Sequence, residues 1–257
     1  MDRRVVRVTG KDPLPFLQGL VSNDVLPLAK GPGLVWVALL TPQGKYLADF
    51  FVAGTGTDLL LDLPEAMADS TLKRLAMYRL RADVQFAATD LPVSRGIGPT
   101  PVGAFLDPRH PELGWRFYGF AAAEPVDWDT LRVRNLIPES GIELIPNESY
   151  LLETGFERLH GVDFRKGCYV GQEVTARMKH KTDLRKGLAR VVVEGQAPVG
   201  SEIMAGDKVV GHLFTQAGGH GLAHLRFDQA QGMMQAAGAR LWLEGEGRLE
   251  GNGVAVG

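Results

Sequence analysis

Lys166-Gly167-Cys168-Tyr169-Val170-Gly171-Gln172-Glu173 is the stretch that decides how this chain is read. Its cysteine is the only one among 257 residues. Two nearby glycines let the backbone turn tightly and let a ligand come close. From Gln172 the pattern predicts a short helix to Lys179, with Glu173 and Arg177 as an i,i+4 pair in the favourable order. A thiol just ahead of a helix start faces unpaired N–H groups and the positive end of the helix dipole. Arg165 and Lys166 add positive charge, and all of these favour thiolate over thiol. The residues alone leave two readings open. Cys168 is a reactive or ligand-facing thiol, or it is a small buried hydrophobe, as most free cysteines are.

Outward from this stretch the chain is basic. Arg165, Lys166, Arg177, Lys179, Lys181, Arg185 and Lys186 stand against Glu173 and Asp183. Such a run suits an anionic ligand or nucleic acid, or it is a solvated link. The formal net charge is −2, which makes a nucleic-acid partner an unfavoured expectation. The single cysteine excludes an intramolecular disulfide and cannot hold a whole iron–sulfur cluster, which takes about four ligands. The N-terminus shows no signal peptide, and no apolar run reaches the roughly 20 residues of a membrane helix. A reducing, cytoplasmic setting and a monomer without membrane attachment are expected.

The rest of the chain reads as alternating layers. Asp12 is the expected cap of a helix with Pro13 in its first turn and Leu14, Leu17 and Val21 at helical spacing. Gly33 to Leu40 and Lys45 to Ala53 read as a hairpin around Thr41-Pro42-Gln43-Gly44. Asp58 to Asp62 is a third strand, Pro64 to Leu80 a long helix, and Ala82 to Ala87 a strand. Strand candidates follow at Gly103–Leu106 and Trp115–Phe120, then a helix from Trp128 to Asn135 capped by Asp127 or Asp129. Trp36 and Trp115 fall on strands and are expected in the core. Beyond about Thr182 short strands cut by glycines suggest a small β-barrel, with a boundary near Asp183. His212, His220 and His224 lie there at spacings that match no metal motif, so no metal site is expected.

The octapeptide Lys166–Glu173 resembles the signature of the YgfZ family, K-G-C-Y-x-G-Q-E. Phe16 to Val25 resembles that family's first helix, and Leu40 to Lys45 its first hairpin turn. Gly161-Val162-Asp163-Phe164 leads into the signature as it does in the family. The resemblance covers nearly the whole chain and implies an α+β fold like the glycine-cleavage T-protein. Two α+β subdomains, about 1–90 and 91–182, would surround a central folate site, and 183–257 would form the C-terminal barrel. It implies tetrahydrofolate, or a one-carbon derivative, as cofactor. The partners it implies are iron–sulfur client enzymes or assembly proteins, including radical enzymes that modify tRNA. It makes Cys168 the working residue, with Asp49 as a further catalytic candidate. Gln18, Asn23, Lys166, Gly167, Tyr169, Gly171, Gln172, Glu173 and Arg177 are the folate-binding candidates.

Two departures shape the expected function. Where T-proteins carry Leu-Arg-Leu-Glu-Ala-Gly for the pterin, this chain has Leu131-Arg132-Val133-Arg134-Asn135-Leu136, with an arginine in place of the acid. After the first hairpin turn T-proteins carry adjacent aspartates, and here Ala48 precedes Asp49. A positioned carboxylate is needed to move protons at the folate nitrogen. The expected function is therefore a folate-binding accessory role in assembly or repair of iron–sulfur clusters. Aminomethyl transfer of the T-protein type is the alternative, and a nucleic-acid-binding module on the basic run is a third.

Overall fold

The run Leu34 to Leu40 is apolar throughout because its strand is covered on both faces. The computed structural model of the protein describes residues 2–180 and 184–248. The chain forms two compact units, Met1–Val126 with Leu159–Gln172, and Asp127–Arg158 with Glu173–Gly257. The segment 127–158 therefore goes with the C-terminal part. The expected boundary residue Asp183, and Lys181 of the basic run, lie outside the described residues.

The first unit opens with β1 (Arg3–Gly10) and α1 (Pro13–Gln18), followed by the hairpin β2 (Gly33–Leu40) and β3 (Tyr46–Gly54). Next come β4 (Leu59–Pro64), α2 (Glu65–Tyr78) and β5 (Val84–Ala88). The strands form one antiparallel sheet in the order β2-β3-β4-β1-β5. One face presents Val37, Leu39, Phe50, Val52, Leu61 and Leu63 to Leu17 and Val21 near α1 and to Ala68 and Leu75 of α2. On the other face Val5, Ala53 and Leu60 meet Leu91, Val93 and Tyr118. The last two belong to a small sheet of β6 (Val93–Gly96), β7 (Phe105–Leu106) and β8 (Trp115–Tyr118), ordered β6-β8-β7. Trp36 and Trp115 are buried, as expected.

Three expectations change. The expected element order starts with a helix, but β1 precedes it. Val5, Val6 and Val8 of β1 are buried, while Arg3, Arg4 and Arg7 bond to Asp62, Glu65 with Asp69, and Asp58. Three arginines in five residues mask the strand pattern. Asp12 occupies the cap position of α1 but makes no cap bond. The third helical residue is Pro15, which has no N–H to offer, and the Asp12 carboxylate instead accepts from the Asp83 amide at 3.0 Å. The helix also stops at Gln18 rather than running on to Val21.

The second unit holds α3 (Trp128–Arg134), capped by Asp127, whose carboxylate accepts from the Thr130 amide at 3.0 Å. α4 (Gln172–Lys179) starts at the junction in sequence between the units and matches the expected bounds. Six strands then close a barrel: β9 (Lys186–Glu194), β10 (Ser201–Ala205), β11 (Lys208–Ala217), β12 (His220–Arg226), β13 (Met233–Ala236) and β14 (Ala239–Arg248). Closure leaves no free sheet edge. Val191, Ile203, Leu213, Ala223, Leu225 and Leu241 fill the interior. Leu188 and Leu222 point outward and pack on Val133 and Leu136. Among the described residues no helix is long and apolar enough to cross a membrane.

Candidate functional site

The signature segment lies against the start of the first unit. Its approach is fixed first. The Asn23 amide donates to the His160 carbonyl at 2.6 Å, and the Ser22 hydroxyl donates to the Gly161 carbonyl at 2.6 Å. The Asp163 amide donates back to the Ser22 carbonyl at 3.0 Å. Ser22 is fully buried and its hydroxyl also accepts from the Ala38 amide at 2.8 Å, so one side chain ties the segment to β2. Sequence reasoning passed over Ser22, because its partners are backbone groups far along the chain.

The signature itself is held at two feet. At the first, Lys166 Nζ donates to the Gln18 carbonyl at 2.5 Å and the Val21 carbonyl at 2.7 Å. The Gln18 amide donates in return to the Lys166 carbonyl at 3.1 Å, while its oxygen accepts from the Val25 amide at 3.0 Å. At the second foot, Tyr169 is buried and Val170 packs on the main core. The Tyr169 amide donates to Gln172 Oε1 at 3.2 Å. Gly171 has φ +84° and lies so close to the β2–β3 turn that an added Cβ would sit 2.5 Å from the Thr41 carbonyl oxygen. Between the feet Gly167, at φ +94°, opens the chain outward, and Cys168 is exposed. The buried-hydrophobe alternative for this cysteine is thereby excluded.

The remaining candidates fall into two groups. Asp49 is buried in β3, and its carboxylate accepts from Trp36 Nε1 at 2.8 Å and the Tyr46 hydroxyl at 2.6 Å. Asn23 also donates to the Trp36 carbonyl at 3.0 Å and accepts from the Asp24 amide at 2.9 Å. Gln18, Asn23, Lys166, Gly167, Tyr169, Gly171 and Gln172 are thus brought into one unit, while Glu173 and Arg177 belong to the second and are exposed on α4. The basic run does not act as one free patch. Lys166 turns inward, Lys179 pairs with Glu157, and Lys186 lies 3.4 Å from Glu153. Arg132, in the segment expected to stand in place of the T-protein pterin motif, is buried. It pairs with Glu143, Asp129 and Glu139. In the second unit His212 and His224 face each other across β11 and β12 beside Glu153, lining a cavity of about 320 Å³.

Burial pushes the Lys166 amine down to about 8, against the charges of Asp24 and Asp163, which favour its protonated form. The folded chain therefore releases this proton more readily than the unfolded one. By linkage the charged amine weakens the fold at neutral pH, and stability attributable to it rises as pH climbs through about 8 toward the ordinary 10.5. Wild type should gain melting temperature relative to Lys166→Met between pH 7 and pH 10. A difference that stays flat or falls over that range would refute this.

The solved aminomethyltransferase T of the glycine cleavage system from Bartonella henselae superposes with a TM-score of 0.69. The match covers 94% of this chain and 82% of that one, at 11% identity. The fold is that of the T-protein. Residues 185–246 match the C-terminal β-barrel domain of CAF17. The iron–sulfur cluster assembly factor IBA57 homolog of Mycosarcoma maydis is 35% identical over a gapped alignment of 216 positions that covers 72% of this chain and 54% of that protein. The chain thus spans about half the length of this relative. The mouse IBA57 factor is 28% identical over a gapped alignment of 278 positions that covers 90% of this chain and 77% of that protein. Both relatives are named as mitochondrial proteins, which overturns the expected cytoplasmic setting. A lone thiol and the lack of a membrane-length apolar run do not distinguish one compartment from another.

Proposed function

We propose that this protein is an iron–sulfur cluster assembly factor that works through Cys168, in the mitochondrial setting of its relatives. The observation that carries the reading is the presentation of the sole cysteine, exposed on an arch whose two feet are fixed. The similarity to the IBA57 factors supports the process, and the octapeptide Lys166–Glu173 supports the narrower YgfZ-type reading. The cluster is cargo here. A cluster takes about four ligands and this chain has one cysteine, so Cys168 supplies one thiolate. The others come from an assembly protein or a client enzyme. Shared ligation needs an exposed donor, and an exposed thiol on a glycine-flanked loop meets that need.

Tetrahydrofolate, or a one-carbon derivative, is proposed as ligand on the T-protein resemblance, with 1–182 as the folate-binding region and 183–257 as the barrel. The residues expected to hold it fit a preformed folate site poorly. The side chains of Gln18, Asn23 and Lys166 are bonded to backbone groups of their own unit, and Asp49 is bonded to Trp36 and Tyr46.

The decisive experiment restores a four-iron enzyme in cells lacking the corresponding factor. Wild type should restore activity, and Cys168→Ala and Cys168→Ser should fail to restore it. Full restoration by Cys168→Ala would end this reading. Titration with tetrahydrofolate tests the ligand separately, since a chain that rescues without binding folate keeps the cluster role and loses the cofactor.

A further inference from the structure

We propose that Lys166 is a positioning residue, interlocked with Gln18 to fix the arch that presents Cys168, rather than a cation that binds a ligand. The inference rests on Cys168 being the working group. Its ground is the way the two side chains cross. Lys166 Nζ reaches the carbonyls of Gln18 and Val21 at 2.5 and 2.7 Å, and the Gln18 side chain reaches back to the Lys166 carbonyl at 3.1 Å. The Gln18 carbonyl is the last of α1, where carbonyls have no partner within the helix and the dipole is negative, and Val21 follows three residues beyond that end. An ammonium satisfies both requirements at once.

The surroundings suit this role and leave little for a ligand. Lys166 Nζ stands 5.0 Å from the centroid of the Tyr169 ring, which is buried, so the first foot of the arch braces the second. Asp24 and Asp163 are the charged groups that favour its ammonium. Asp163 is itself turned into the arch, accepting from the Arg165 amide at 2.6 Å. The Gln18 amide is also engaged at both ends, because its oxygen accepts from Val25. A lysine that reads as the positive charge of an anion site is thus directed into the protein. The exposed element between its two anchors is Gly167-Cys168.

The chain's single cysteine makes the test specific, because any thiol reagent reports on Cys168 alone. In the ligand-free protein, Lys166→Met should speed amide hydrogen exchange in residues 164–170 at least tenfold. It should also raise the rate of Cys168 alkylation by iodoacetamide at least threefold, with exchange in β9 to β12 unchanged. Lys166→Arg, which keeps the charge and two donors, should recover most of the protection. Gln18→Leu leaves the lysine in place and should loosen the same residues. If Lys166→Met fails to fold, Gln18→Leu decides on the same readouts. Wild-type exchange and alkylation in ligand-free Lys166→Met, or in Gln18→Leu, would overturn the proposal. Lost tetrahydrofolate binding beside that result would make the lysine a ligand cation. Failure of the Cys168 reading shows itself elsewhere, as full rescue by Cys168→Ala, and leaves the exchange data standing.

Discussion

Gly171→Ala should lower the melting temperature by about 6–12 °C, taking 2–4 °C per kcal/mol for a chain of this size and a loss of about 3 kcal/mol. Two costs add. The residue sits at φ +84°, a conformation that costs a side-chain-bearing residue roughly 1–2 kcal/mol. Its new Cβ would also lie 2.5 Å from the Thr41 carbonyl oxygen, 2.9 Å from Leu40 Cβ and 3.2 Å from Gly44 Cα. Two of those three atoms are backbone of the β2–β3 turn. That turn is braced by the Thr41 amide on the Lys45 carbonyl at 2.8 Å and the Gly44 amide on the Thr41 carbonyl at 2.9 Å. The turn cannot yield without breaking these bonds, so overpacking adds about 1–3 kcal/mol. Gly167→Ala is the internal control. It shares a positive φ, +94°, but its Cβ would meet nothing within 4 Å, so only the backbone term of about 1 kcal/mol applies. Equal losses for the two variants would show that the close approach of Gly171 to the turn does not matter.

The comparison of these two glycines marks what a sequence discloses. That glycines near Cys168 permit unusual backbone is legible from residue type. Which of them is pressed against a hairpin more than 120 residues earlier is not, because the partners are main-chain atoms that any sequence carries. The hairpin was legible for a complementary reason. An apolar run ending at Thr41-Pro42-Gln43-Gly44 has local turn chemistry, and the observed β2 has the expected bounds. β1 was lost because its arginines find their acids 51 to 65 residues away, on β4, α2 and the turn before β4. The same holds for the site. The sequence singled out Gln18, Asn23 and Lys166, while their partners, the carbonyls of residues 160, 166, 18 and 21, leave no trace in it. Side-chain type advertises a hydrogen-bonding group, and only the fold shows whether that group faces a ligand or the chain itself.

Asp62→Ala should cost about 3–5 kcal/mol, the range for removing one partner of a buried ion pair. Asp62 is fully buried in β4 and anchors two guanidinium groups. Its carboxylate accepts from Arg3 Nε at 2.6 Å and from Arg116 Nη1 at 2.8 Å, with the Tyr118 hydroxyl at 3.3 Å. Arg116 is buried on β8, and its guanidinium carbon lies 4.1 Å from the centroid of the Phe51 ring. Its Nε has no hydrogen-bond partner, and the other carboxylate near it, Asp107, is 3.9 Å away and already bound by Arg109. Removing Asp62 therefore leaves the buried Arg116 guanidinium with only the more distant Asp107, which Arg109 already engages. The double variant Asp62→Leu with Arg116→Met separates the two parts of this cost. If the loss arises from the stranded guanidinium, the double variant recovers most of it, because apolar replacements of a buried pair are often neutral or better. If it arises from packing, the double variant is at least as unstable as the single one. Because Arg3 donates to Asp62 from β1 and Arg116 from the small sheet, chemical denaturation of the single variant should also show whether β6 to β8 detach first. Faster hydrogen exchange in β8 than in β2 would mark that order, and equal rates would place the loss in the whole unit.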